Sequence, residues 1–465
     1  MTLTIRANFV HTPGLGSIQI LLDHLIELDS SDGFIVNLGP YGGQDLMDAV
    51  QVPEGSFILP TFCDLHLHAP QFLYQGTGLH LPLMEWLNEY AFKAEEKLDA
   101  DLDLAELVYR RLARRLIESG TGAVSLFGTI NEETNLIAFF DCLVLAKVMK
   151  EAGLRAFIGK LSMDTSSRPS YVEPSAQASL DSAASFVERC YALDQAKGHR
   201  LIEPILTPRF VPTCSNALLQ GLGELAAQGK SFAPLRVQSH LPEPEDQVAW
   251  VRSTRHAEDI DVFDNHRLLT PRTIQAHCTF LPPPSLDRMS QTGAAVAHCP
   301  LSNAYFSSTE IFRLREALNR GVKVGLGSDI AGGYELGIQG VMRMSVAVSR
   351  LREGLLKRES QALKDGAVKN PRIDWKESLY LATKGGAEAM GLYRGSGWFN
   401  VGAPFDAQQI RFYDQRTGEG VGALDFLDHD DKSQPKLVED VIEKWWCLGD
   451  VRNRVAVWVQ GNPLL

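Results

Sequence analysis

The chain has 465 residues, a formal net charge of −12, 45% hydrophobic and 22% charged residues, the composition of a soluble globular protein with a sizeable core. Its length suits one large α/β barrel with an accessory domain, or two ordinary domains. The acidic balance argues against nucleic acid, whose binding needs clustered Lys and Arg; no apolar run spans a bilayer, and Met1-Thr2-Leu3-Thr4-Ile5-Arg6 lacks the basic-then-apolar order of a signal peptide.

Residues 1–56 are short β-like runs broken by Gly and Pro, such as Ile18–Leu22 and Gly33–Val36. From residue 57 to about 330 short apolar strands alternate with longer amphipathic stretches. The expected strands are Phe57–Phe62, Gly122–Phe127, Arg155–Met163, Leu201–Thr207, Leu235–His240, Thr273–His277, Ala294–His298 and Lys323–Asp329. The helical patterns between them include Leu104–Glu118, Ala176–Gln195, Asn216–Gln228, Glu245–Arg252 and Ile311–Arg320. About eight repeats of strand and helix predict a parallel (β/α)8 barrel of TIM type, although a doubly wound open sheet reads similarly. From about residue 400 the β-like style resumes, in Phe405–Phe412 and Val455–Val459. Neither flank holds a core of its own, so 1–56 and 400–465 are expected to form one composite small β domain, a β-sandwich, beside a 57–399 barrel.

The chemistry lies at strand ends. Asp64-Leu65-His66-Leu67-His68-Ala69-Pro70-Gln71 follows the first apolar run, and residues two apart on a strand face the same way, so His66 and His68 make half of a metal site. His240, His277, His298 and Asp329 each close an apolar strand, and Arg209 lies just beyond another. In a parallel barrel these ends share one face, which favours the barrel over the open sheet. One such histidine is ordinarily structural; five of them with an aspartate form a cluster. Three imidazoles and a carboxylate suit Zn²⁺ and accept Fe²⁺, and such an ion lowers the pKa of a bound water to about 7. Glu243, three residues past His240, is placed to move protons. The cysteines, Cys63, Cys142, Cys190, Cys214, Cys278, Cys299 and Cys447, are scattered and never spaced Cys-x-x-Cys. They read as reduced thiols of a cytoplasmic protein, and those beside the histidines as apolar walls in preference to ligands.

The chain resembles the amidohydrolase superfamily and, within it, the guanine deaminases. The motifs that carry the resemblance are His66-Leu67-His68-Ala69-Pro70-Gln71, Leu81-Pro82-Leu83-Met84-Glu85-Trp86-Leu87, Thr207-Pro208-Arg209-Phe210, Gln238-Ser239-His240 with Glu243, Ala276-His277-Cys278, Ala297-His298-Cys299-Pro300-Leu301-Ser302-Asn303 and Gly327-Ser328-Asp329-Ile330-Ala331-Gly332-Gly333. The resemblance implies one zinc per chain held by His66, His68, His240 and Asp329, with Glu243, His277 and Asp329 as the catalytic groups. It implies Gln71, Arg209 and Phe210 as contacts to a purine base, and a homodimer acting in purine catabolism or salvage. Two departures stand out. Pro242 lies between His240 and Glu243 where a small polar residue is usual, and Gln408 and Gln409 interrupt an apolar strand. The strand ending at Arg209 carries no lysine to bridge a second metal, and Lys160 reads as structural. A relative acting on a pterin, a cytosine-like base or a triazine remains the alternative; a non-catalytic scaffold protein is a remoter one, since no ligand is missing.

Overall fold

The computed structural model describes residues 2–43, 49–130, 141–194, 200–228, 234–307, 310–359, 371–427 and 435–465. Eight strands stand side by side in chain order: Phe62–His68, Thr121–Phe127, Arg155–Gly159, Ile202–Pro208, Arg236–Leu241, Thr273–His277, Ala295–His298 and Lys323–Leu326. Every neighbouring pair is parallel. Their residues are almost wholly buried, as expected for strands covered on both faces. The last strand returns to the first through its extension: Asp329 N–H donates to the His66 carbonyl and His68 N–H to the Ile330 carbonyl, both at 2.9 Å. The ring therefore closes at the end that carries the histidines.

The helices follow from their sequence spacing. In Leu102–Glu118 the residues Ala105, Val108, Tyr109, Leu112, Ala113, Leu116 and Ile117 recur at three- and four-residue intervals and are buried. The Asp101 side chain accepts from Leu104 N–H at 2.9 Å and caps the first turn. Burying each large apolar side chain of that stripe contributes about 1.5–3 kcal/mol. Of the other expected helices, Asn216–Gln228 has the expected bounds, Glu245–Arg255 runs longer and Leu314–Asn319 shorter. The helix from Ala176 ends at Leu193, and the expected terminus at Gln195 lies outside the described residues. Among the described residues no helix is long and apolar enough to cross a membrane.

Both chain ends meet in one mixed sheet of eight strands, the form taken by the expected small β-sandwich. Its central strand, Ser56–Pro60, runs antiparallel to Ala407–Arg411 and parallel to Thr2–His11. This corrects the reading of 57–62 as the first barrel strand. Pro60 lacks an N–H, and across the next two residues the hydrogen bonding changes sheets. Thr61 N–H donates to the Asp406 carbonyl at 3.1 Å, in the terminal sheet, and Phe62 N–H to the Gly120 carbonyl at 2.8 Å, in the barrel. One apolar run thus holds two strands, and His66 and His68 lie within the second instead of beyond the first. Gln408 is buried without penalty, because its Nε2 donates to the Pro60 carbonyl and its Oε1 accepts from Arg454 Nε. A Cβ at Gly120, where φ is +80°, would stand 2.2 Å from that Oε1, so glycine is required on both counts.

Candidate active site

The alternation of the strand Phe62–His68 sends His66 and His68 to one side, where His240, His277 and Asp329 arrive from three other strand ends. Nε2 of His68 and Nε2 of His240 stand 3.0 Å apart. His66 Nε2 lies 3.0 Å from Asp329 Oδ1, and His68 Nε2 lies 3.8 Å from the same oxygen. Two overlapping sets with metal-ligand spacing result, His66–His68–His240 and His66–His277–Asp329, all buried. Gly327 permits this closeness, since a Cβ there would lie 2.9 Å from His66 Cβ and 2.8 Å from Cys299 Sγ. His277 and Asp329 have φ of +64° and +48°. Such left-handed conformations cost about 1–3 kcal/mol each and cluster at functional sites; here they turn the two side chains into the mouth of the barrel.

Hydrogen bonds set the tautomer of two of the rings. Nδ1 of His240 donates to the Arg209 carbonyl at 2.6 Å, and Nδ1 of His277 to Asn303 Oδ1 at 2.9 Å. Each Nε2 therefore carries a lone pair directed into the cluster. Burial, and then the neighbouring imidazoles, hold His68 and His240 well below the ordinary histidine range, and burial brings His277 down to about 4. These three rings are neutral at pH 7, the form that binds metal. Nε2 of His66 is buried with no well-formed hydrogen bond, a donor atom that a cation would satisfy. The residues thus fit a divalent metal.

The two carboxylates are driven apart. Glu243 is pushed well above the usual carboxylate range by burial, then by Asp329 and Asp246. Asp329 is also raised by burial, but His66, His277 and the Ser302 hydroxyl outweigh this and hold it below that range. Opposite shifts on neighbouring carboxyls are the pattern of an acid and base pair. Glu243 Oε2 lies 3.5 Å from His277 Nε2, and Asp329 Oδ2 lies 3.9 Å from it. Beyond Pro242, whose carbonyl accepts from Thr279 N–H at 3.0 Å, the backbone of Glu243 donates to Gln247 Oε1 at 3.4 Å.

A cavity adjoins the cluster, lined by His68, Gln71, Arg209, Phe210, Glu243 and Asp329 among others. It leaves about 440 Å³ unfilled by protein atoms, the open mouth included. Leu83, Trp86, Leu87 and Phe306 form an apolar wall, which places the Leu81–Leu87 motif over the pocket. Trp86 is anchored by a hydrogen bond from its Nε1 to the Thr77 carbonyl at 2.9 Å. All the residues expected to touch metal, water or base are therefore brought together. His298 is not among them: its ring packs against Phe312 at 5.2 Å. Cys278 and Cys299 are thiols driven up by burial, and Lys160 is a buried ion-pair partner of Glu173.

The sequence reading missed Glu95, Gln247 and the role of Asn303. Glu95 sits in a charged helical stretch beside Glu96 and Asp99, where nothing in composition separates a buried carboxylate from an exposed one. The available signal was Phe92, one turn earlier on the same face.

Comparison with known proteins follows the same line. The profile described as Amidohydrolase family matches residues 57–462, which gives the class. The guanine deaminase of Dictyostelium discoideum is 33% identical over 99% of this chain and 97% of its own length. That of Mus musculus is 33% identical over 100% of this chain and 97% of its own. A crystal structure of guanine deaminase from C. acetobutylicum, with guanine bound in its active site, covers both chains completely at 27% identity and a TM-score of 0.83. The chain belongs to the amidohydrolase family and, within it, to the guanine deaminases.

Proposed function

We propose that this protein hydrolyses guanine to xanthine and ammonia with one zinc ion held by His66, His68, His240 and Asp329. The observation that carries the reading is that a buried cluster of imidazoles and one carboxylate adjoins a cavity lined by Gln71, Arg209 and Phe210. Three nitrogens and an oxygen suit Zn²⁺. When bound, such an ion makes a water acidic enough to act as nucleophile near neutral pH.

The chain's own residues supply the rest. Guanine presents an acceptor at O6 and donors at N1 and the exocyclic amine; the Gln71 amide offers one group of each kind, and Arg209 a rigid fork of donors. Phe210 packs near the ring. Asp329, ionised at rest, takes a proton from the attacking water as oxygen adds at C2. Glu243, protonated at rest, gives a proton to the exocyclic amine, which leaves as ammonia when its bond to C2 breaks. His277 Nε2, 3.5 Å from Glu243 Oε2 and 3.9 Å from Asp329 Oδ2, lies on the path by which the proton returns from Asp329 to Glu243 and restores the resting state. One water is consumed, and one xanthine and one ammonia are released.

The test is purified, zinc-loaded protein incubated with guanine, following ammonia release and xanthine formation. No turnover by protein that contains zinc rejects guanine and directs the search to a pterin, a cytosine-like base or a triazine. The family resemblance supports a homodimer, and seven free cysteines, six of them buried, support a reducing, cytoplasmic setting. Sedimentation at the mass of one chain would reject the dimer.

A further inference from the structure

Behind the two polar residues that face the base lies a carboxylate that the reaction does not use. Glu95 has no exposed surface, and Gln71 and Arg209 are each only 2% exposed. Glu95 Oε1 accepts from Gln71 Nε2 at 3.0 Å and Oε2 accepts from Arg209 Nη1 at 2.6 Å. Phe92, on the same helix, places its ring 4.8 Å from the centre of the Arg209 guanidinium. The Leu83–Ala100 stretch contains one wider π-type turn over Leu87–Ala91, a feature frequent at functional sites. Below it, Phe92 and Glu95 share a face.

These contacts fix the chemistry of the recognition wall. A carboxylate only accepts, so it draws the NH₂ end of Gln71; the Ala331 N–H only donates, and it takes Gln71 Oε1 at 3.1 Å. The amide cannot flip, and one N–H and one acceptor site are left for a ligand. The fork of Arg209 is aimed in the same way, by Glu95 at one nitrogen and by Phe92 at its face. The negative charge of Glu95 also cancels the positive charge of Arg209, so this wall of a deeply buried pocket is neutral in sum.

We propose that Glu95 is a positioning residue that holds Gln71 and Arg209 in a base-reading arrangement and, by cancelling the guanidinium charge, makes the pocket prefer neutral purines to anionic ones. This rests on the guanine reading above. It assigns the discrimination of charge to a residue outside the cavity lining.

The test compares zinc-loaded wild type with Glu95→Gln and with the double variant Glu95→Gln/Arg209→Gln, which removes both charges. A glutamine at 95 offers only one acceptor, so one of the two contacts is lost. In Glu95→Gln, the KM for guanine should rise about tenfold or more while kcat falls less, corresponding to the loss of ground-state positioning. Inhibition by xanthine is then measured below and above its first ionisation, with hypoxanthine, which stays neutral, as control. Relative to hypoxanthine, the xanthine anion should inhibit Glu95→Gln about tenfold or more better than wild type, and the double variant should return to the wild-type ratio. An unchanged ratio, or an unchanged KM with kcat lowered only in proportion to lost folded protein, overturns the proposal. If Glu95→Gln does not fold, Arg209→Gln decides: with the Glu95 charge left uncancelled, the xanthine anion should inhibit about tenfold or more less well relative to hypoxanthine than it does in wild type, and an unchanged ratio overturns the proposal. Should wild type not turn over guanine, the function reading fails alone, because the same inhibitor ratio is then read by calorimetric binding.

Discussion

The backbone carbonyl of Arg209 accepts a hydrogen bond from Nδ1 of His240 at 2.6 Å, so one residue lines the base pocket with its side chain and fixes a metal ligand with its main chain. The two roles separate on truncation. Arg209→Ala should lower kcat/KM for guanine by about 2–4 kcal/mol while metal analysis still finds one equivalent of zinc. It should also lower the melting temperature, because Glu95 remains buried with the Gln71 hydrogen bond but without its cationic partner. Loss of zinc would show that the guanidinium, and not the carbonyl, supports His240.

In the proposed reaction Glu243 carries the proton that must reach the leaving amine. Glu243→Gln keeps the shape and the hydrogen bond from its own N–H to Gln247, but no titrating group. Turnover should fall by about 10²–10⁴-fold with zinc content and hypoxanthine binding retained. Activity within a few-fold of wild type would remove Glu243 from the proton path.

Asn303 sets which nitrogen of His277 bears hydrogen. Asn303→Ala leaves that choice open, and rate should fall by about 10–100-fold without loss of metal, since His277 is not in the proposed ligand set. An unchanged rate would mean that the tautomer is fixed by something other than Asn303.

Asp259 gives the chain a pH-dependent stability away from the metal cluster. Burial pushes its carboxyl up from 3.8 to about 7, against the hydrogen bond from Gln247, and its Oδ2 has no partner. The folded state therefore binds this proton more tightly than the unfolded state. Stability from Asp259 is full below about pH 4, falls as pH rises to about 7, and is level above that, by about 4 kcal/mol in all. Asp259→Asn mimics the protonated form. Its melting temperature should match wild type at pH 4 and exceed it at pH 8; equal curves across that range would refute the shift.

Much of the site was legible because barrel topology converts scattered strand ends into one place. His240, His277 and Asp329 needed only the recognition that apolar runs stop there. The first strand was misread by five residues because an apolar run does not say which sheet it joins; that is settled by the N–H of Thr61 and the N–H of Phe62 pointing to different partners. His298 fits the same strand-end pattern as its neighbours, yet it packs on Phe312, since the pattern gives the position along a strand and not the face. Glu95 was invisible for a related reason. Its partners, Gln71 and Arg209, lie 24 and 114 residues away, and no local period marks such a meeting.

The strand Ser56–Pro60, joined through Thr61 to the strand that bears His66 and His68, carries a consequence for the life of the molecule on the ribosome. One of its edges can pair with Thr2–His11 early in synthesis, but the other waits for Ala407–Arg411. At about 5–20 residues per second, that leaves the edge open for tens of seconds, through translation of the whole barrel. The anchor of the first two histidines is therefore finished only after the barrel strands have been made. A nascent chain stalled before residue 407 would have every residue of the metal cluster and the adjoining cavity and would still be without the buttress that holds two of them in place.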